Sequence, residues 1–155
     1  MAAYVLALLL SVVPSSGRTA WMRPEAFHLA IGMSRLQVLG ELKAAGFEAK
    51  PGKNKDEYFV DYTNERTLTL LFRNARLWSV RFELFAFLPE VRPAFDEAKA
   101  DLQKELGVPK KLPSKTIVVY DERVPNVMLV MSDDPQTTNG RKGIGFVAVR
   151  YYDPK

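Results

Sequence analysis

Alternating apolar and polar residues mark six short segments with the period-two pattern of β-strands. Turn-forming residues such as Asn64-Glu65 and Asn74-Ala75 separate neighbouring segments. Three segments fall in the first half of the chain and three in the second: residues 58–63, 67–73, 76–87, 115–121, 126–132 and 143–153. The short connections within each half predict two antiparallel three-stranded meanders.

A helix is predicted ahead of each meander. The first, residues 36–46, follows Ser34 and Gln37, which have the spacing of a capping box, and it ends at Gly46. The second, residues 94–107, is predicted to begin near Pro93 and to end at Gly107. The apolar stripes expected to face the sheet are Leu36, Leu39 and Leu42 on the first helix, and Phe95, Ala98, Leu102 and Leu106 on the second.

Corresponding places in the two halves carry matching residues. The matching sets are Tyr62, Glu65 and Arg66 with Tyr120, Glu122 and Arg123, and Val80-Arg81-Phe82 with Val149-Arg150-Tyr151. This duplication predicts a single α+β domain, residues 18–155, built from two tandem helix-plus-three-stranded-antiparallel-meander repeats that form one sheet with the helices on one face. The first repeat would span about residues 24–88 and the second about 89–155.

The third strand has two unlike faces. Trp78, Val80, Phe82 and Leu84 form an apolar row that is predicted to pack beneath the helices. The opposite row is Leu77, Ser79, Arg81, Glu83 and Phe85, and its counterpart in the second half is Phe146, Ala148, Arg150 and Tyr152. Aromatic residues mixed with arginine are typical of binding hot spots, although an ordinary solvated sheet face explains the row equally well.

Composition narrows the functional classes. The 155 residues are 47% hydrophobic, enough for a core of ordinary size, and contain no cysteine, which excludes disulfides, thiolate nucleophiles and cysteine-based metal sites. The net charge is +4, but the basic residues are scattered, which favours a solvated surface over a nucleic-acid or anionic-lipid patch.

Residues 2–13 form an uncharged apolar run followed by Pro14-Ser15-Ser16-Gly17. The length fits the apolar region of a signal peptide and is too short to span a bilayer as a helix. We expect cleavage after Gly17, or alternatively after Ala20. Because no Lys or Arg precedes the run, retention as a membrane anchor stays open as an alternative. Burial as a first helix is a further alternative, which the lack of a polar face disfavours.

The run from Phe27 to Val38, with Gly32-Met33-Ser34 leading into Gln37-Val38, resembles the helix-entry motif of the outer-membrane assembly lipoprotein family BamE/SmpA. Leu106-Gly107-Val108-Pro109 is similar to the Leu-Gly-x-Pro that ends helices in the same families. Together with the β-lactamase inhibitor protein, those folds use tandem helix-plus-sheet repeats. The resemblance therefore implies such a fold over residues 24–153. It does not imply a role in outer-membrane assembly, because the lipid-carrying cysteine is absent.

Residues that support catalysis or metal binding are few. His28 is the only histidine, and its apolar neighbours favour a packed or half-exposed side chain without a catalytic task. The adjacent carboxylate pairs diverge on either a strand or a helix, so none forms a dyad. Asp133 and Asp134 open a loop that continues through Asn139, but they lack the alternating ligands of a calcium loop.

We therefore expect a periplasmic or secreted protein-interaction module without a catalytic site, cofactor or metal. The alternative is a binder or hydrolase of small molecules or cell-wall polymer that uses the arginine, glutamate and tyrosine of the sheet face; nucleic-acid binding ranks third. Two surfaces are candidates for the protein partner. One is the sheet face with Arg81, Glu83, Phe85, Phe146, Arg150 and Tyr152, and the other is the 133–143 loop with Asp133, Asp134 and Asn139. Membrane association is expected only if the N-terminal segment stays uncleaved.

Overall fold

The computed structural model describes residues 21–121, 125–134 and 142–155. Its helices are a short 3-10 helix Pro24–Phe27, α1 Arg35–Ala44 and α2 Leu88–Leu106. Its strands are β1 Lys50–Pro51, β2 Glu57–Thr63, β3 Arg66–Arg73, β4 Arg76–Phe87, β5 Lys111–Ser114, β6 Ile117–Asp121, β7 Asn126–Ser132 and β8 Ile144–Tyr152. The six predicted strands are therefore present with bounds within two residues of those predicted.

The eight strands form one sheet in the order β1-β2-β3-β4-β8-β7-β6-β5. Every neighbouring pair is antiparallel, and β4 joins the two halves by pairing with β8 from Ser79↔Tyr152 to Phe87↔Ile144. The α+β class and the antiparallel sheet are thus confirmed, with sheet as the larger part of the structure.

Two edge strands were missed by the sequence pattern. β1 has two residues and β5 has four, and each contains a proline, Pro51 or Pro113. Proline cannot donate to a ladder and is confined to edges, where it also discourages pairing with other chains. The sheet consequently has eight strands instead of six.

Helix α1 begins as predicted, but it packs a different face against the sheet from the one that was expected. The Gln37 backbone N–H donates to Ser34 Oγ at 3.3 Å, and the Ser34 N–H donates to Gln37 Oε1 at 3.0 Å, which confirms the capping box. Val38 and Leu42, one turn apart, are fully buried, whereas Leu36 is 84% exposed. The prediction that Leu36 faces the sheet is wrong, because six residues of helix place it well around the axis from Leu42.

Helix α2 starts earlier than predicted. Phe87 is its N-cap and Pro89 occupies the first turn, where the missing N–H costs nothing, so Pro93 lies inside the helix instead of at its start. Phe95, Ala98 and Leu102 are buried as expected. The Tyr120 hydroxyl donates to the Lys99 carbonyl at 3.0 Å and ties this helix to β6.

One hydrophobic core lies between the sheet and the helices. It includes the buried residues of α1 and α2 together with inward-facing side chains of both halves of the sheet. Phe82 lies at the centre of this core and is 0% exposed. Its ring centroid is 5.8 Å from that of Trp21, 5.6 Å from that of Phe27 and 6.0 Å from that of Tyr151. The Tyr151 hydroxyl donates to the Met22 carbonyl at 2.9 Å and fixes the segment before the first helix over the core.

A β-bulge in β4 changes which residues face the core. The register steps from Leu71↔Ser79 to Phe72↔Leu77, so that Trp78 and Ser79 together oppose Leu71. Leu77 is consequently buried, at 1% exposure, although simple alternation placed it on the outer row.

The same bulge puts Trp78 on the outer face. Its ring lies beneath the guanidinium carbons of Arg73 and Arg150, at 4.4 Å and 5.2 Å from the ring centroid. The prediction that Trp78 shares the core face with Val80 and Phe82 is therefore wrong.

The expected signal peptide, residues 1–17, lies outside the described residues. No helix in the described ranges is long and apolar enough to cross a membrane.

Candidate functional site

The outward face of the central strands brings six of the predicted binding residues together. Directly paired residues of antiparallel strands point to the same side, so the pairings Arg81↔Arg150, Phe85↔Phe146 and Ser79↔Tyr152 place these side chains on one surface. Glu83 lies between Arg81 and Phe85 on the same side of β4. We call the set Arg81, Glu83, Phe85, Phe146, Arg150 and Tyr152, together with Trp78 and Ser79, the open-face cluster.

Two arginines and one glutamate form the charged centre of this cluster. Arg81 Nη2 lies 2.5 Å from Glu83 Oε1, and the Glu83 side chain is 17% exposed against 40% for Arg81. Arg150 donates from Nε to Ser79 Oγ at 2.9 Å. In the described part of the chain, no carboxylate lies within ion-pair distance of Arg150.

Aromatic rings lie on both sides of the charged centre. The Arg150 guanidinium lies 4.8 Å from the Tyr152 ring centroid as well as over Trp78, which is also contacted by Arg73. At the other end, the rings of Phe85 and Phe146 meet edge to face at 6.5 Å, and Arg81 lies 5.5 Å from the Phe146 centroid. Stacking on rings holds the guanidinium planes in place without consuming all of their hydrogen-bond donors.

Burial shifts the ionisation of this centre. It raises the pKa of the Glu83 carboxyl above its ordinary value, and the nearby Arg81 charge only partly offsets that effect. Burial also lowers the pKa of the Arg150 guanidinium; the Tyr152 hydroxyl acts against this shift and the neighbouring Arg81 charge adds to it. The charged forms are thus incompletely solvated within the protein.

The rest of the outward face carries both apolar and polar residues, among them Asp61, Thr67 and Thr69. Register places half-buried side chains from five strands on it: Phe59, Leu71, Ile117, Val119, Met128, Val130 and Ile144. Within the described ranges, none of these residues belongs to the hydrophobic core that the helices cover. This side of the sheet therefore combines half-buried apolar side chains with polar ones around a small charged centre.

The second predicted surface is only partly described. Asp133 and Asp134 are exposed at the end of β7, whereas Asn139 lies outside the described residues. His28 is at the end of the 3-10 helix with a positive φ of 56°, and its Nδ1 lies 3.5 Å from Glu41 Oε2. In the part of the chain that the structure describes, no group of three His, Asp or Glu residues is placed to hold a metal ion.

Three surface cavities lie away from the charged centre. The first, of about 280 Å³, is next to the turn between β2 and β3 and reaches only Phe85 of the cluster. The second, of about 590 Å³, lies between α2 and β5–β6, and the third, of about 520 Å³, lies beside the end of α1. Arg81, Glu83 and Arg150 line none of the three.

The sequence pattern predicts neither the outward position of Trp78 nor the contact of Arg73 with the Trp78 ring. Both follow from the bulge, which adds Trp78 to the outer face next to the last residue of β3. The alternation from Val80 to Phe85 is regular, so nothing in the residue pattern marks the change of phase at Leu77.

Comparisons of the chain with protein-family models, with curated proteins and with solved structures find no match. The resemblance to the BamE/SmpA family and to the β-lactamase inhibitor protein stays a prediction.

Proposed function

We propose that the protein is an extracytoplasmic interaction module that binds an envelope or secreted protein through the open face of its sheet. The observation that carries this proposal is the open-face cluster, in which arginines lie over the rings of Trp78, Tyr152 and Phe146 and half-buried apolar side chains such as Met128 lie nearby. Tryptophan, tyrosine and arginine dominate the binding energy at protein interfaces, where a ring of weaker contacts around them excludes water.

The shape of the site supports a protein partner over the alternative of a small molecule or a cell-wall polymer. Small ligands usually bind in cavities that bury most of their surface. Here the charged centre lies on the face of a continuous antiparallel sheet, and the three cavities described above are lined mostly or entirely by other residues. A broad partner surface covers such a face more completely than a small ligand does.

We also propose that the fold arose as two tandem helix-plus-meander repeats. The strand order is consistent with this origin, because β1 to β4 and β5 to β8 run inward from opposite edges and meet at the β4–β8 pair. Arg81 and Arg150, at matching positions of the two repeats, are direct partners across that junction. Duplication would thereby explain why two arginines stand side by side on one face.

The proposed location outside the cytoplasm rests on residues 2–13 and their flanking small residues. Removal of residues 1–17 would give a mature N-terminus near Arg18. Mass spectrometry of the native protein tests this proposal, and a soluble cytoplasmic form that retains Met1 would contradict it.

Affinity capture from a cell-envelope fraction tests the binding function. The baits are the wild-type chain, the double variant Arg81→Ala/Arg150→Ala, and Arg92→Ala as a control on the exposed side of α2. A partner retained by the wild type and the control and lost by the double variant supports the sheet face.

A chain in which the 133–143 loop is shortened to Asn-Gly separates the second surface from the first. A two-residue hairpin preserves strand pairing while it removes the projecting loop. If the folded double variant keeps its partner and the shortened chain loses it, the loop is the binding surface and the proposal for the sheet face is wrong.

A further inference from the structure

The charged centre of the open-face cluster is electrostatically incomplete. Arg81 and Arg150 are direct cross-strand partners, and like charges in that position destabilise a sheet. Glu83 neutralises one positive charge through its contact with Arg81. The three side chains together therefore carry a net charge of about +1 at neutral pH.

Arg150 is the side chain that keeps unused binding capacity. A guanidinium has five N–H donors, and the Nε donor of Arg150 is directed at Ser79 Oγ. The rings of Trp78 and Tyr152 hold the guanidinium plane but accept no strong hydrogen bond. Among residues 21–121, 125–134 and 142–155, the terminal nitrogens have no hydrogen-bond acceptor, and they are thus available for the paired bonds that arginine makes to a planar anion.

We propose that the partner inserts a carboxylate from an acidic side chain, flanked by apolar side chains, between Arg81 and Arg150. This inference rests on the proposed function and specifies the chemistry of the partner at that same face. The carboxylate would complete the charge balance of the centre, and its apolar neighbours would cover the half-buried side chains of β3, β7 and β8. The segment that carries it would be extended, since alternate residues of a strand present one chemical row to a facing sheet.

Charge also distinguishes this occupant from a second copy of the chain. A symmetric pairing of two open faces about the β4–β8 junction would bring the arginines of both copies together. Such juxtaposition of like charges within an apolar interface is strongly unfavourable. A phosphate group, with a charge of about −2, is the other anion that arginine pairs with, and a separate arm of the experiment below distinguishes it from a carboxylate.

Three synthetic peptides test the proposal against the full-length protein. Each alternates valine with one polar residue, which is glutamate in the first peptide, glutamine in the second and lysine in the third. Binding is followed by titration calorimetry and by NMR shifts of the Phe146, Arg150 and Tyr152 amides, at low and high salt. The protein variants are Arg150→Gln and, as a control on α2, Arg92→Gln, and inorganic phosphate is titrated as a separate arm.

The glutamate peptide should bind about tenfold more tightly than the glutamine peptide, which corresponds to one charge-assisted contact. The difference should vanish in Arg150→Gln, persist in Arg92→Gln and shrink in high salt. Shifts at the three amides should report the site of binding.

Equal binding of the glutamate and glutamine peptides overturns the proposal that the partner supplies a carboxylate. It does not contradict the proposal that this face binds a protein. Preference for the lysine peptide overturns it in favour of a partner that pairs with Glu83. Absence of peptide shifts at all three amides, or displacement of the glutamate peptide by equimolar phosphate, also overturns the inference. Concentration-dependent dimerisation through this face would assign it to a second copy. The proposed function is judged separately, by the envelope capture described above.

Discussion

Because of the bulge in β4, two aromatic residues of this strand should contribute very differently to the free energy of unfolding. Phe82 is fully buried, and its ring packs against those of Trp21, Phe27 and Tyr151. Phe82→Ala should therefore lower the free energy of unfolding by about 3–5 kcal/mol, because it leaves a cavity in a close-packed core. For a domain of this size, that loss corresponds to a fall in Tm of roughly 6–20 °C.

Trp78→Ala should cost much less. The indole lies on the outer face, where its contacts include the two guanidiniums of Arg73 and Arg150. Such contacts at exposed sites are worth about 0.5–1 kcal/mol each, so the expected loss of unfolding free energy is about 1–2 kcal/mol. Partner binding, by contrast, should weaken strongly in Trp78→Ala.

Urea denaturation of both variants and the wild type measures the two losses. Midpoints should shift while the slope m stays constant, which identifies a change in stability instead of a change in the unfolded state. If Trp78→Ala destabilises as much as Phe82→Ala, the indole belongs to the core and our assignment of the bulge is wrong.

Three further predictions concern stability. Gly145→Ala should destabilise by about 1–3 kcal/mol, because a Cβ there would lie 2.4 Å from the Ser132 carbonyl oxygen; Gly40→Ala in α1 meets no atom within 4 Å and should instead stabilise by about 0.5–1 kcal/mol. Thermal melts of the two alanine variants check this contrast, and equal shifts would contradict it. Since the pKa of Glu83 is raised above 4.5, wild-type stability relative to Glu83→Gln should be greatest below pH 4.5 and decline as the pH rises through the folded-state pKa. Urea titrations of both proteins across that range test the sign, and a relative gain in stability with rising pH would refute it. Burial raises the pKa of Tyr120 from 10.0 to about 12, so its contribution is complete below pH 10 and is lost as the pH approaches 12. Tyr120→Phe should remove that alkaline dependence and, with the bond to Lys99, about 1 kcal/mol of stability; an unchanged alkaline profile would show that another group causes it.

The sheet could be predicted from sequence wherever local chemistry decides the structure. Turns at Asn64-Glu65 and Asn74-Ala75 bound strands that the structure places within one residue of expectation. The Ser34 capping box likewise depends on residues three positions apart and was recognised correctly. Such features need no knowledge of the partner strand.

Features that depend on distant partners escaped the pattern. Because proline favours a first turn, the sequence predicts that α2 starts near Pro93, but Pro89 fills that role and the helix tolerates Pro93 inside it. The edge strands β1 and β5 are short and contain proline, so only their neighbours define them as strands. The pairing of β4 with β3 sets the bulge in β4, so simple alternation along β4 predicts the wrong face for Trp78.

The candidate site was anticipated where alternation is regular. Arg81, Glu83 and Phe85 were expected on one row of β4, and Arg150 with Tyr152 on the matching row of β8. Direct pairing of Arg81 with Arg150 was not foreseen, because the order of strands decides it.

Site-specific photo-crosslinking in the native host tests the central claim most directly. A photoreactive phenylalanine analogue replaces Phe146 on the open face in one strain and the exposed Leu36 on α1 in another. We predict a covalent adduct with a protein partner at position 146, which is lost when Arg81 and Arg150 are changed to alanine, and no adduct at position 36. An adduct at position 36 without one at 146 would contradict it.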